Sequence, residues 1–78
     1  MDYQDYADQL AKLSDNKLII RFNDDVGHSG WVSARANFLA AMRQELLKRF
    51  DCSNVIKDSG MSMKYKIRFK NEKLFQMI

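Results

Sequence analysis

The stretch Met-Ser-Met-Lys-Tyr-Lys-Ile-Arg-Phe-Lys, residues 61–70, alternates apolar side chains with side chains that are cationic from Lys64 onward. Successive side chains of an extended strand point to opposite faces, so the pattern predicts one amphipathic β-strand over 61–70. One face of this strand carries the apolar residues Met61, Met63, Tyr65, Ile67 and Phe69. The other face carries a row of four positive charges, contributed by Lys64, Lys66, Arg68 and Lys70.

A second strand is predicted from Lys73 to Ile78, after a turn at Asn71-Glu72, which completes an antiparallel hairpin. Two registers remain open. A two-residue loop places Leu74, Gln76 and Ile78 on the core face, whereas a three-residue loop places Phe75 and Met77 there. The second register has the better alternation, but it requires a left-handed backbone at Lys73, which disfavours it. Phe75 joins the cationic face only in the two-residue register.

Helical periodicity dominates the first fifty residues. Tyr3, Tyr6, Leu10 and Leu13 recur at intervals of three and four, which predicts a first helix with an acidic first turn. A long helix is predicted from about Trp31 to Phe50, since it combines a run of alanines with a regular apolar stripe. That stripe consists of Trp31, the stem of Arg35, Phe38, Leu39, Met42, Leu46 and Phe50.

Residues 17–26 fit two structures. Lys-Leu-Ile-Ile-Arg-Phe, residues 17–22, has the composition of a short strand. Ser14 is a good helix N-cap, Leu18, Ile19, Phe22 and Val26 share one helical face, and Gly27 suits a left-handed position after the helix. We therefore predict an α+β fold in which three helices precede a C-terminal hairpin. The alternative is αβαββ with a three-stranded sheet.

Composition predicts one small domain over residues 1–78 and a cytoplasmic location. The chain is 46% apolar with nine aromatic residues, enough for a hydrophobic core. Its single cysteine, Cys52, excludes an internal disulfide framework and favours a reducing compartment. The first residues are acidic rather than signal-like, and the longest apolar run, residues 38–42, is far shorter than the ~20 residues of a membrane span. We therefore expect no membrane association.

The inventory of reactive side chains argues against catalysis and metal binding. His28 and Cys52 are the only residues of their types, and a structural zinc site normally needs four such ligands. No spacing places the two together as a nucleophile and its base. The glycines Gly27, Gly30 and Gly60 form no phosphate-binding loop. We predict a protein that is not an enzyme and needs no cofactor or metal.

Charge is distributed unevenly, although the net charge is only +3. Residues 1–25 carry six acids and three bases, whereas residues 43–78 carry nine bases and four acids. A basic hairpin face attracts phosphate backbones, which makes nucleic acid the first candidate partner. The candidate binding residues are Lys64, Lys66, Arg68, Lys70 and Lys73.

The basic face also fits roles that need no partner. Lysines on an edge strand prevent aggregation, and the charged face of a half-buried sheet is often merely solvated. The acidic first helix likewise has two possible positions. Asp2, Asp5 and Asp8 either screen the basic strand, or the helix packs its tyrosines and Leu10 into the core. The regular apolar spacing favours packing.

A second class of function is a protein-interaction module, such as a small regulator or a homodimer. Its basis is the small size of the chain together with apolar residues that have no obvious place in so small a core. These residues are Leu47, Phe75 and Met77. Exposed apolar patches on small proteins tend to mark partner surfaces.

Residues 13–43, from Leu-Ser-Asp-Asn-Lys-Leu through Val-Gly-His-Ser-Gly-Trp to Leu-Ala-Ala-Met-Arg, resemble a group of small bacterial hypothetical proteins. The shared run has the form Leu-Ser-Asp…Phe-Asn…Val-Gly…Gly-Trp…Ser-Arg…Leu-Ala-Ala-Leu. The resemblance covers residues 13–56 and, loosely, the hairpin. It implies a helix over 15–26 and a capping or packing role for Gly27, Gly30 and Trp31. It implies no activity or site, and Ala34, which separates Ser33 from Arg35, departs from the run.

Overall fold

The computed structural model describes residues 2–27, 33–57, 60–61 and 63–77. Three helices come first: α1 (Tyr3–Ala11), α2 (Asp15–Asp25) and α3 (Ser33–Arg49). Two antiparallel pairs of strands follow, the first formed by β1 (Ile56–Lys57) and β2 (Gly60–Met61), the second by β3 (Ile67–Lys70) and β4 (Lys73–Gln76). The α+β fold with a C-terminal hairpin is confirmed. The αβαββ alternative is wrong, because residues 17–22 lie inside α2.

Local capping sets the ends of the first two helices. Asp2 and Asp5 form a reciprocal capping box at the start of α1. The Ser14 side chain accepts a hydrogen bond from the Lys17 amide at the start of α2. Gly27 takes the predicted left-handed backbone (φ 85°) after α2 and donates its amide proton to the carbonyl of Met63, 3.2 Å away. The turn that ends α2 is therefore tied to the chain just before the hairpin.

The apolar stripe of α3 forms the centre of the core. Phe38, Met42, Leu46 and Phe50 are buried as predicted, and Leu39 is half-buried. Tyr6 of α1 packs edge-to-face on Phe38 with their ring centroids 5.6 Å apart. The predicted burial of Trp31 and the predicted start of the helix at that residue lie outside the described residues.

Arg49, at the end of α3, connects all three helices. Its guanidinium contacts Glu45 (2.8 Å) on α3 and Asp15 (3.1 Å) at the start of α2. It also donates to the carbonyls of Leu10 (3.2 Å) and Ala11 (3.3 Å) in the last turn of α1. Glu45 is buried, so this planar cation also neutralises a carboxylate that is largely removed from water.

The opposite end of α2 is tied to α3 by a second arginine. Arg35 lies 2.8 Å from the Asp25 carboxylate and also donates to the Asp25 carbonyl. Arg35 and Arg49 are separated by roughly 21 Å along α3, at a rise of 1.5 Å per residue. Since Asp15 begins α2 and Asp25 ends it, the two ion pairs fix α2 antiparallel to α3.

The C-terminal hairpin has the two-residue loop. Ile67 pairs with Gln76, Arg68 with Phe75, Phe69 with Leu74 and Lys70 with Lys73. Asn71 and Glu72 both have positive φ (53° and 64°), as a type I′ turn requires. Ile67 and Leu74 are buried on the core face, and the ring of Phe69 lies 5.1 Å from that of Phe50.

Both edges of the hairpin are occupied by other parts of the chain. The Asn23 side chain of α2 donates to the carbonyl of Ile67 (2.9 Å) and accepts from its amide (2.7 Å), as a neighbouring strand would. On the β4 side, Asp51 donates to the carbonyl of Glu72 (2.7 Å) and accepts from the amide of Leu74 (2.9 Å). The hairpin is therefore held edgewise between α2 and the segment after α3.

The single strand predicted over 61–70 is wrong in its extent. Met61 pairs with Ile56 in the smaller sheet, and β3 begins only at Ile67. The chain bends at Lys64 and Tyr65, because the backbone before residue 66 bonds elsewhere, as the Met63 carbonyl does to Gly27. The predicted alternation of burial is nevertheless present. Met63, Tyr65, Ile67 and Phe69 are buried or half-buried, and the cations between them are exposed.

We predict that Arg49→Lys destabilises the protein by about 1–3 kcal/mol, because an ammonium group cannot match the four acceptors of the guanidinium. Chemical denaturation measures the free energy of unfolding. Arg68→Lys is the matched control, since Arg68 is exposed, and we expect it to change that free energy by less than about 0.5 kcal/mol. Equal effects of the two substitutions would refute the role assigned to Arg49.

We predict that Asn23→Asp costs roughly 1–3 kcal/mol at neutral pH, because it removes the bond to the Ile67 carbonyl and sets a carboxylate against that oxygen. The clash raises the folded-state pKa of the new carboxyl. The protonated form therefore folds best, and stability falls as pH rises through that pKa. Denaturation at several pH values should show the deficit shrinking toward acid. Asn16→Asp, on the exposed side of α2, is the control and should show no such recovery.

Candidate nucleic-acid interface

The outward face of the β3–β4 hairpin combines four cations with one aromatic ring. We call this surface the basic hairpin face. The register places its members on alternate positions of the two strands and of the residues next to them. They are Lys66, Arg68, Lys70, Lys73, Phe75 and Met77.

Phe75 lies among these cations rather than in the core. It is half-buried and directly opposite Arg68, whose guanidinium carbon lies 5.6 Å from the ring centroid. The Lys73 ammonium, two residues before Phe75 on the same face, lies 6.0 Å from that centroid. Such distances allow cation–π attraction, so the ring and its two cations form one cluster.

The cations of the basic hairpin face have no carboxylate partner within 4.0 Å among the described residues. The ion pairs of the described chain instead use Arg35, Lys48 and Arg49 of α3. The Asp51 carboxyl is close enough to Lys73 to be affected by its charge. Its pKa is lowered first by the hydrogen bond from the Ser53 backbone amide, then by the Ser53 side chain and, least, by the Lys73 charge. Among the residues that the structure describes, the positive charge of this face is therefore largely uncompensated.

Lys64 lies outside the paired strands, which shortens the row of four cations predicted along residues 61–70. It precedes β3 at the bend in the chain, exposed, with its ammonium 5.5 Å from the ring centroid of Tyr65. The other four predicted residues, Lys66, Arg68, Lys70 and Lys73, do share the face. The row is shorter because the pairing that aligns it begins near Lys66, whose carbonyl accepts from the Met77 amide.

The acidic residues of α1 are engaged within their own helix. Asp2 and Asp5 bond to each other's backbone amides, and the Gln4 side chain donates to Asp8. The helix packs on α3 with Leu10 buried and Tyr6 half-buried, as the packing alternative predicted, but Tyr3 is exposed, so that part of the prediction is wrong. No ion pair joins its acids to the basic hairpin face within the described part of the chain.

Cys52 lies in an environment unsuited to a reactive thiol. It is buried, and its Sγ donates to the Phe50 carbonyl. Burial raises the pKa of its thiol, and the nearby Asp51 charge raises it further, so the nucleophilic thiolate is disfavoured. His28 lies outside the described residues. Within the described ranges no cluster of three or more histidine, cysteine or acidic residues is arranged to hold a metal ion.

The positions of two functional residues, Phe75 and Asn23, could be predicted from the sequence only in part or not at all. The sequence places Phe75 on the cationic face only if the hairpin has a two-residue loop. Asn71 and Glu72 form that loop although neither is a glycine. Asn23, which positions β3, lies in a polar stretch of α2 and interrupts no pattern. An amide side chain that contacts backbone 44 residues away gives no periodic signal.

We predict that Glu72→Gly stabilises the protein by about 0.5–1 kcal/mol, because glycine adopts the left-handed backbone of this turn position without steric cost. Thermal melting measures the change. Glu72→Gln is the matched control: it removes the same charge but keeps a side chain at φ 64°, so its melting midpoint should match that of the unmodified protein. A shift of the same size in both variants would contradict the role of the backbone.

No protein-family model, curated protein or solved structure matches this chain. The resemblance of residues 13–56 to small bacterial proteins therefore stays a prediction, and no site residue is carried over from it. No helix within the described ranges is long and apolar enough to cross a membrane.

Proposed function

We propose that this protein is a non-enzymatic module that binds nucleic acid through the basic hairpin face. The observation that carries the proposal is the set of cations Lys66, Arg68, Lys70 and Lys73 on one outward face, without ion-pair partners within the described chain. Phosphate groups are the natural partners of such a row, because each contact releases condensed counterions.

The hairpin is held at both edges, which favours a role of its cations in binding a partner over mere contact with solvent. Asn23 holds the β3 edge, and Asp51 holds the β4 edge. The cations therefore project from a ribbon whose position is fixed relative to the helices. Along β3 the row from Lys66 to Lys70 extends over about 13 Å, at a rise of 3.3 Å per residue. This length suits a few successive phosphates of one backbone.

Protection against aggregation accounts for these lysines less well. That role belongs to residues that guard unpaired edge groups of a sheet. Here Asn23 takes the edge groups of Ile67, while Asp51 and the Asn54 side chain take those of Leu74. The edge groups of Ile67 and Leu74 are therefore already bonded within the chain, so this part of the hairpin does not need the charged face for protection. A polyanionic partner would give those charges a role.

The experiment measures binding of fluorescent oligonucleotides, duplex and single-stranded, over a range of salt concentrations. Four phosphate contacts predict a slope of log affinity against log salt of about −3.6 for duplex and about −2.8 for single strands. The double variant Lys66→Glu/Arg68→Glu should weaken binding at low salt by more than about tenfold, because each reversal turns attraction into repulsion.

The matched control is Lys12→Glu/Lys17→Glu, which makes the same charge change at exposed positions outside the hairpin. It should lower affinity only slightly and leave the slope unchanged. If neither duplex nor single strands bind the unmodified protein at low salt, the proposal is wrong. It is equally wrong if the control pair weakens binding as much as the hairpin pair.

A protein-interaction module, including a homodimer, is the second candidate. Its support is the exposure of large apolar side chains: Ile20 is 58% exposed, Leu47 45% and Met77 52%. They lie on α2, on α3 and just after β4. Size-exclusion chromatography with light scattering tests the homodimer, and a mass of one chain at all concentrations would exclude it. We also propose a location in the reducing cytoplasm, which the single cysteine, a buried free thiol, supports.

A further inference from the structure

We infer that the ligand of the basic hairpin face is a single strand of nucleic acid, an unpaired base of which stacks on Phe75. This inference rests on the proposed function and specifies its ligand class. The cations alone attract any phosphate backbone, single or double. The aromatic ring among them is what distinguishes the two.

The position of Phe75 on this face follows from the turn. Asn71 and Glu72 adopt left-handed backbone together, and this places Leu74 in the core and Phe75 outside. A three-residue loop would have buried Phe75 instead. The fold thus accommodates two non-glycine residues with positive φ and leaves an aromatic ring half-exposed beside charges. A base that stacks on the ring would cover this apolar surface.

The cations around the ring can contact both the phosphate and the base of a nucleotide. Arg68 and Lys73 lie over the ring of Phe75, 5.6 and 6.0 Å from its centroid. A base that takes the place of a cation over the ring leaves that charge close by, where it can pair with the phosphates next to the base. The Arg68 guanidinium is itself a plane on which bases stack. Lys66 and Lys70 continue the row in both directions along the β3 side.

A duplex fits this arrangement poorly. Its bases are stacked on one another, and exposing the face of one base costs a few kcal/mol. Proteins that open a base step insert an apolar side chain as a wedge. The tip of this hairpin carries Asn71 and Glu72, neither of them apolar, and Phe75 lies within a strand opposite Arg68. The ring is placed to receive a base that is already unpaired.

The test compares Phe75→Leu with Phe75→Tyr on short oligothymidylate, oligouridylate and a duplex. Leucine keeps an apolar side chain but has no π face, so we expect about five- to a hundredfold weaker binding of the single strands. Duplex affinity and the salt slope should not change, because no phosphate contact is lost. Phe75→Tyr should bind as the unmodified protein does, and thermal melting verifies that both variants fold.

The outcomes separate this inference from the proposed function. If the protein binds single strands and duplex equally well, and if Phe75→Leu binds as tightly as the unmodified protein, the stacking role is wrong. The proposal of a phosphate-binding face would then still stand. A loss in Phe75→Leu that extends equally to duplex would also overturn the stacking role. A loss confined to single strands, with either oligonucleotide, supports it. Absence of binding to every probe at low salt would remove the proposed function itself.

Discussion

The Arg49 guanidinium is the constraint on which the arrangement of the helices depends. A single planar cation satisfies the last-turn carbonyls of α1, the first acid of α2 and the buried Glu45 of its own helix. Without it, the buried Glu45 carboxylate would keep only the exposed Lys48 ammonium, 3.8 Å away, as a partner, which is more costly than the loss of an exposed ion pair. The same residue sets the point from which the chain leaves α3, and Phe50 and Asp51, which anchor the hairpin, follow at once.

Two groups of cations in this chain have different uses. Arg35 and Arg49 are largely covered and join α2 to α3 through aspartates at its two ends. The cations of the basic hairpin face are directed outward and compete for no carboxylate within 4.0 Å in the described chain. The internal ion pairs hold the helices together, and the contacts of Asn23 and Asp51 hold the hairpin against them. The hairpin thereby presents a charged surface to a partner.

Sequence reasoning predicted the features that depend on local periodicity. The three helices, the left-handed Gly27 and the alternation of burial along 63–70 all follow from spacing. The extent of the strand did not follow, because alternation specifies which side chains are buried and not which backbone groups are paired. For this reason Lys64 was wrongly placed in the row of cations. The hairpin register does not follow from the sequence, because side-chain pattern and turn geometry favour different loops. The role of Asn23 does not follow either, because its partner is 44 residues away.

The pair of hydrogen bonds between the Asn23 side chain and the Ile67 backbone also affects how the molecule folds. These two residues are 44 residues apart, and the acceptors of Arg49 on α1 and α2 lie 34 to 39 residues before it, so the fixing contacts are non-local although most of the secondary structure is helical. A two-stranded hairpin is marginally stable by itself in water. β3 and β4 therefore become ordered when they pack on the helices, and this packing requires the long intervening loops to close at a cost in chain entropy. We therefore expect the hairpin and the helical core to unfold as one cooperative unit, so a ligand of the outward surface would stabilise the whole chain against unfolding.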